Sequence, residues 1–317
     1  MKALNRRTLL STALALGTAV SAGCANSPST APGSAPSSAI RILPAQTTWG
    51  PAPAQVPVTE GIAALPGGAR LWYWDTGGSG EPVVLMHAYS GSAAFWEYQQ
   101  PVLAKAGYRV IAYSRRGHYK SDPSNPDNPG SGAGDLQELV QHLGLDRFHL
   151  ISTAAGGFIA MDYAVSYQDR LLSLVVANSL SGISEPAFGA ITQALLPKAF
   201  SQTPADFREI GPSYRAGYRP GVERWMALHE TAGKGGMQRT INKLTWSAVG
   251  TLRVPTLLVT GGADLYMPPS RVRELAKHIP GSEVAIFNEA GHSTYWEQPE
   301  AFNGELLRFL GKHRKGG

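Results

Sequence analysis

The sequence predicts an α/β fold, a mostly parallel, doubly wound sheet with a helical lid inserted into it. Three observations carry this. Short, continuous apolar runs, such as Pro82-Val83-Val84-Leu85-Met86 and Leu171 to Ala177, read as strands buried on both faces. They alternate with helical segments, as parallel strands joined by crossovers require. From Ser181 to about Val249 the alternation stops, and it resumes at Pro255, which marks an insertion between two strands.

The chain has 317 residues, enough for one large domain with a sizeable core. Residues 1–23 read as a signal peptide. Lys2, Arg6 and Arg7 precede the apolar stretch Leu9 to Val20, which is too short for a good spanning helix. Asn5-Arg6-Arg7-Thr8-Leu9-Leu10 has the pattern of twin-arginine export. Cys24, the single cysteine, follows Ser21-Ala22-Gly23, which resembles a lipoprotein cleavage box. Cys24 is therefore the candidate lipidation site; an ordinary cut near Ala22 or Ala25 is the alternative. The expectation is an exported, periplasmic protein, held at the membrane if Cys24 is modified. One cysteine also leaves no intramolecular disulfide. Residues 1–23 carry three cationic residues and no acidic one, so the net charge of +5 becomes +2 without them. No basic stripe is visible, and no nucleic-acid partner is expected.

Residues 24–58 are rich in Ala, Ser, Pro and Thr and read as a disordered tether, with the domain proper at 59–317. Its first elements are a hairpin, Gly61 to Ala64 and Ala69 to Trp74, turned at Pro66-Gly67-Gly68. The strand at Pro82 ends in His87-Ala88-Tyr89-Ser90-Gly91, and a helix is expected from Ser92 to about Lys105. Tyr108 to Tyr113 is the next strand, followed by Ser114-Arg115-Arg116-Gly117-His118. Asp135 is expected to cap a helix running to about Gly144. Arg147 to Ile151 is a strand, and Leu171 to Ala177 another. After the lid of about 181–249, Pro255 to Thr260 is a strand leading to a loop with Asp264. Ser270 to His278 is a helix, Glu283 to Phe287 the last strand, and Pro299 to Lys312 the closing helix.

The turn after Ile151 carries the chemistry. Ser152-Thr153-Ala154-Ala155-Gly156-Gly157 lies between an apolar strand and the apolar helical pattern Phe158, Ile159, Met161, Tyr163. This is the shape of a nucleophile elbow, in which small residues two before and two after the nucleophile let strand and helix approach closely. Only one register fits. With Ser152 as nucleophile, the small position would be Leu150; with Thr153, it would be Ile151. The seat is Ala154, flanked by Ser152 and Gly156, and alanine carries no nucleophile. The chain keeps its leader and carries no tag, which favours a natural alanine over an inactivated variant.

These motifs together resemble the α/β-hydrolase fold superfamily, of the lid-bearing, esterase and haloperoxidase-like type, across about residues 60–314. His87-Ala88-Tyr89 is similar to the oxyanion loop, and Ser114-Arg115-Arg116-Gly117-His118 to the family's Asp-x-Arg-Gly-x-Gly loop, with Ser114 in place of Asp. Gly262-Ala263-Asp264 resembles the acid loop, and Ala290-Gly291-His292 with Trp296-Glu297-Gln298-Pro299 the histidine loop. The resemblance implies a general base at His292, oriented by Asp264, and an oxyanion hole from the main-chain amides of Tyr89 and Ala155. His87, Arg115 and Arg116 are read as bracing loops. Ser90, Ser152, Thr153 and Ser179 are nearby hydroxyls, each a poor substitute nucleophile.

A base and a hole without a nucleophile leave three functions open. One is hydrolysis of a small apolar ester, lactone or related carbonyl compound by water that His292 activates. Another is a cofactor-free lyase or isomerase with His292 as base. The third is ligand binding without chemistry. Trp225, Met226 and Phe188, with Leu195 and Phe200, are expected to line the pocket and favour an apolar small molecule. Neither a metal site nor a nucleotide fingerprint stands out, so no cofactor is expected.

Overall fold

The computed structural model describes residues 39–314 apart from residue 237. The signal peptide expected at residues 1–23, the lipidation site expected at Cys24, and residues 25–38 lie outside the described residues.

Nine strands form one sheet. In chain order they are β1 (Ala39–Leu43), β2 (Thr59–Ala64), β3 (Arg70–Asp75), β4 (Pro82–Met86), β5 (Arg109–Tyr113), β6 (Phe148–Thr153), β7 (Leu171–Ala177), β8 (Thr256–Gly261) and β9 (Glu283–Phe287). Their spatial order is β1-β9-β8-β7-β6-β4-β5-β3-β2. All neighbours from β1 to β5 are parallel, and only the β2–β3 hairpin and its seam with β5 are antiparallel. The apolar runs have their cause here. Successive side chains of a strand point to opposite faces, and both faces are covered. Val84 and Met86 of β4 and Leu174 and Val176 of β7 pack into one core layer; Val83, Leu85, Val175 and Ala177 pack into the other.

The helices follow the predicted order with two local differences. The stretch expected as one helix from Ser92 is split into a 3-10 turn, Ala93–Trp96, and α1 (Gln100–Lys105). Pro101 explains the second start, since proline is tolerated only in a helix's first turn. Helix α2 (Gly132–His142) is capped by Ser131, whose Oγ accepts from the Gly134 amide at 3.2 Å. Asp135 does not cap it. Its carboxylate is buried and takes two hydrogen bonds from Arg116, at 2.7 and 2.6 Å. Helix α3 (Gly156–Tyr167) leaves the elbow. The insertion between β7 and β8 holds α4 (Pro186–Leu195), α5 (Ala205–Glu209), α6 (Pro212–Gly217), α7 (Arg219–Thr231) and α8 (Trp246–Val249). Helices α9 (Pro269–Ala276), α10 (Thr294–Glu297) and α11 (Pro299–Lys312) complete the chain. No helix among the described residues is long and apolar enough to cross a membrane.

The tether expected at 24–58 is ordered structure over its second half. Strand β1 pairs in parallel with β9, from Ala39 opposite Glu283 to Leu43 opposite Phe287. The Trp49 ring packs edge-on to Tyr214 at 5.6 Å and donates its indole N–H to the Glu297 carbonyl at 2.9 Å. The reason is a matter of edges. Unpaired strand edges are a liability that proteins cover, and β1 covers that of β9 with a backbone ladder, joined by the Arg41–Glu305 ion pair at 3.3 Å and the half-buried Leu43. Its apolar side chains Ile40 and Ile42 stay exposed, so no buried hydropathy pattern announces it.

Candidate active site

Strand β4 is flanked by β5 on one side and β6 on the other. The chain order therefore reverses beside β4, and in open α/β sheets ligands bind at the carboxyl ends of the strands at such a switch. The relevant loops all leave that end: Tyr89 follows β4, Ala154 follows β6, Asn178 follows β7, Asp264 follows β8 and His292 follows β9.

The elbow turns at Ala154, whose φ is +49°. That left-handed conformation is costly for a residue with a Cβ and is tolerated where the surroundings enforce it. Here the Ala154 amide bonds the Ala177 carbonyl at 2.9 Å, and the Ala154 carbonyl accepts from the Gly157 amide at 2.9 Å. The need for small residues is steric. A Cβ on Gly156 would lie 2.7 Å from the His87 carbonyl oxygen, and one on Gly157 would lie 2.4 Å from Ser179 Oγ. Ser152 is fully buried and donates to the Val175 carbonyl at 3.0 Å, and Thr153 is buried too.

On the opposite wall, His292 Nδ1 stands 2.9 Å from each oxygen of Asp264. The carboxylate is itself held by donors. Oδ1 accepts the amides of Tyr266 and Met267 at 2.8 and 3.0 Å, and Oδ2 accepts the Asn178 side-chain amide at 3.0 Å. Burial alone would raise the Asp264 pKa, but the charge of His292 and these bonds outweigh it and hold it below the usual carboxylate range. Burial alone would likewise lower His292. Asp264, helped by Glu209 and Glu297, wins and raises it above its ordinary value. The histidine loop is clamped from behind by Glu297, whose carboxylate accepts the Gly291 amide at 3.0 and 2.9 Å and the Gly211 amide at 2.8 Å.

The oxyanion loop is braced by the residues read as structural. His87 Nδ1 is 2.6 Å from the Ala88 carbonyl, and His87 Nε2 accepts the Arg115 amide at 3.0 Å. His118 Nε2 meets the Tyr89 carbonyl at 3.1 Å, and His229 Nδ1 meets that of Ser90 at 2.8 Å. Burial, followed by the nearby Arg115 charge, pushes His118 down to about 4 and His87 well down. Both rings are neutral near pH 7. Neither the Tyr89 nor the Ala155 main-chain N–H donates to another described residue.

These parts meet around a cavity of about 250 Å³ whose lining includes Tyr89, Ala154, Ala155, Asn178, Glu209 and His292. Phe158, Leu180 and Tyr266 supply its apolar wall, and Ser90 and Ser179 also reach it. The five residues expected in the lining are elsewhere; Leu195 is exposed on α4 and Phe200 is buried edge-on to Tyr266 at 4.8 Å. Trp225 is fully buried and stacks on His229 at 5.2 Å, so it supports the oxyanion loop from one layer behind. Met226 packs with the core on that side of the sheet, and Phe188 is buried edge-on to Trp246 at 5.2 Å. An apolar residue on an insertion helix faces core or cavity according to tertiary packing, which its sequence position does not reveal. Five lining residues were missed: Phe158, Leu180, Tyr266, Asn178 and Glu209. Asn178 and Glu209 are single polar residues in loop and short helix, and no local pattern ties them to His292. Among the described residues, no group of three or more His, Cys, Asp or Glu side chains is arranged to hold a metal ion.

The sequence matches the alpha/beta hydrolase family over residues 83–305. The chain belongs to that family. It is similar to a 2-hydroxy-6-oxononadienedioate/2-hydroxy-6-oxononatrienedioate hydrolase of Pseudomonas putida, 27% identical over 265 residues, covering 76% of this chain and 91% of the relative. Among solved structures, a bromoperoxidase from Bacillus anthracis superposes with a TM-score of 0.64 at 25% identity, covering 80% of this chain and 100% of that one. A thermophilic esterase from Thermogutta terrifontis shares the fold at a TM-score of 0.66 and 24% identity, covering 81% and 100%. This family member is an enzyme of hydrolase type.

Proposed function

We propose that this alpha/beta hydrolase cleaves a small, mainly apolar ester, lactone or related carbonyl compound with water as the direct nucleophile. The observation that carries this reading is that His292, paired with Asp264, and Ala154 line the same small cavity. The missing side chain leaves room for a water molecule between the imidazole and a bound carbonyl. The water oxygen attacks the carbonyl carbon while His292 Nε2 takes a proton from it. The carbonyl electron pair moves onto oxygen, where the amides of Tyr89 and Ala155 stabilise it. The tetrahedral species then expels the leaving oxygen, which takes its proton back from His292. Asp264 keeps the proton on Nδ1 and stabilises the imidazolium formed in between.

The chemistry needs no acyl-enzyme. Serine hydrolases stripped of the triad still accelerate hydrolysis by about 10³–10⁴ over water, from hole and binding alone. The decisive experiment restores the seat. Ala154→Ser should bring a burst of product from an activated ester and labelling by a fluorophosphonate, both absent in the natural chain. His292→Ala should lose turnover of every ester and lactone tested. Turnover unchanged by His292→Ala would overturn the base. Ligand binding with no hydrolysis, in the natural chain and in Ala154→Ser alike, would favour the non-catalytic reading instead. For the leader and Cys24, we propose export and lipid anchoring, to be checked by the mass of the mature N-terminus.

A further inference from the structure

The inner cavity carries one charged group that the hydrolytic reading leaves idle. Glu209, at the end of α5, lines the cavity beside His292 and also lines an adjoining outer space of about 630 Å³. Tyr89, Ser90 and Tyr266 border both spaces as well, so Glu209 stands at the passage between them. Its one hydrogen bond among the described residues is long, 3.4 Å from the Tyr266 hydroxyl. That same tyrosine ring lies 4.3 Å from the His292 ring. No lysine or arginine lines the inner cavity, and no ion pair to Glu209 is formed among the described residues. Neighbouring Arg208 turns away and donates to the Ser201 carbonyl at 2.9 Å.

Glu209 is half-buried, so its carboxylate has lost part of its hydration, a loss that an arriving cation offsets. Burial, ahead of every charge around it, accordingly raises the Glu209 pKa. The other walls suit a cation too, since Tyr89, Tyr266 and Phe158 offer aromatic faces that attract one. An anionic substrate would meet Glu209 with no fixed opposing charge in the lining, His292 being cationic only when protonated.

We propose that Glu209 and the aromatic wall select substrates that carry an ammonium group, so that the favoured class is small esters of amino alcohols or amino acids. This rests on the hydrolytic reading for its chemistry, but the recognition step is separate. The outer space, with Arg208, Lys234, Glu209 and Glu230, carries both signs of charge and does not repel such a substrate.

The test is a matched set of probes on the full mature chain. Calorimetric titration compares choline with its uncharged isostere 3,3-dimethylbutan-1-ol. Hydrolysis compares acetylcholine, 3,3-dimethylbutyl acetate and a monoester of succinic acid. The cationic probe should bind, and the cationic ester should react, at least about tenfold better than the neutral one. The succinate monoester should be the poorest. In Glu209→Gln the cationic preference should collapse to about twofold or less. Equal affinities for the two alcohols, no binding of choline at millimolar concentration, or an undiminished preference in Glu209→Gln would overturn the proposal. Choline binding through Glu209 without hydrolysis of any ester would sink the hydrolytic reading and leave the recognition site standing.

Discussion

The Arg115 guanidinium donates a hydrogen bond to the Ala88 carbonyl at 3.2 Å and makes no ion pair among the described residues. It is buried, and that burial pulls its pKa down to about 10, still charged at neutral pH. The same carbonyl is 2.6 Å from His87 Nδ1. Because His87 Nε2 accepts from the Arg115 amide, Nδ1 is the nitrogen that carries the proton and donates. The oxygen of the 88–89 peptide thus takes three bonds, counting that of the Gly91 amide at 3.2 Å, while its N–H, that of Tyr89, is unspent. Hydrogen bonds in series polarise one another, so a cation on the carbonyl side strengthens the donor on the amide side.

That arrangement separates activity from stability. Arg115→Met removes a buried charge that has no ion-pair partner and fills similar space, and the Ala88 carbonyl keeps its other bonds, so stability should change little. His87 still bonds the Ala88 carbonyl, so the loop keeps its place. The Tyr89 amide loses its electrostatic backing, and kcat should fall about tenfold with KM little changed, a fraction of what removing an oxyanion donor outright costs. Arg115 is a positioning residue in this account. A loss confined to KM, or a melting temperature that drops with kcat, would contradict it.

The pH profile follows from the His292–Asp264 pair. The proposed mechanism needs the neutral imidazole, and Asp264 raises the pKa of His292 above its ordinary 6.5. The rate must therefore increase with pH, and the acid limb of kcat/KM should have its midpoint above 6.5. Asp264→Asn removes the charge that favours the imidazolium. The midpoint should shift to lower pH, while the plateau falls by about 10⁴ as the tautomer is lost. A midpoint that does not move would mean that another group titrates.

The site was legible where its constraint is local. The elbow register rests on the close approach of α3 to β4, and the structure gives that contact in full: Met86 and His87 carbonyl oxygens would sit 2.8 and 2.7 Å from any Cβ on Gly156. Position alone could not tell that Trp225 faces His229 rather than the cavity, because both faces of α7 carry apolar residues. Glu209 was silent for a different reason. Its meaning depends on Tyr266 and His292, which lie 57 and more residues away in the chain and reach it only through the tertiary fold. The β1 strand was hidden because Ile40 and Ile42 are exposed and most of what holds it is the backbone ladder to β9.

The close approach at the elbow makes its own prediction. Gly156→Ala forces main chain against main chain, which cannot yield as a flexible side chain would. It should destabilise the fold by more than about 1 kcal/mol, the range of an overpacked core. Gly189 in α4 has open space where a Cβ would go. Gly189→Ala should therefore be stabilising by about 0.5–1 kcal/mol, through helix propensity and the unfolded chain. Chemical denaturation of both variants checks the pair, and equal effects would contradict the steric argument.

The buried Arg116–Asp135 pair ties the loop after β5 to α2, with Gln238 of the insertion also donating to Asp135 at 2.7 Å. Asp135→Asn leaves the guanidinium buried without its counter-charge and should cost about 3–5 kcal/mol. The loss should be smaller in Arg116→Met/Asp135→Leu, since that double change removes both charges together. A double-mutant cycle by urea denaturation measures the coupling, and additive losses would mean that the pair is idle.

The last expectation concerns β1. Starting the chain at Thr59 rather than Ala39 strips the five-residue ladder from β9 and removes Trp49 from its seat on Tyr214. Losing a half-buried tryptophan and its hydrogen bond costs about 1–3 kcal/mol, and the uncovered β9 edge adds a surface on which a second chain can pair. The shortened chain should melt at a lower temperature and associate as its concentration rises. Trp49 also donates to the carbonyl of Glu297, the residue that clamps the His292 loop through the Gly291 amide. Activity should therefore fall with the truncation and in Trp49→Ala, in the same direction as stability. Melting curves together with sedimentation at two concentrations decide the matter, and a chain starting at Thr59 that stays monomeric with an unchanged melting temperature would mean that β1 is not an integral part of the sheet.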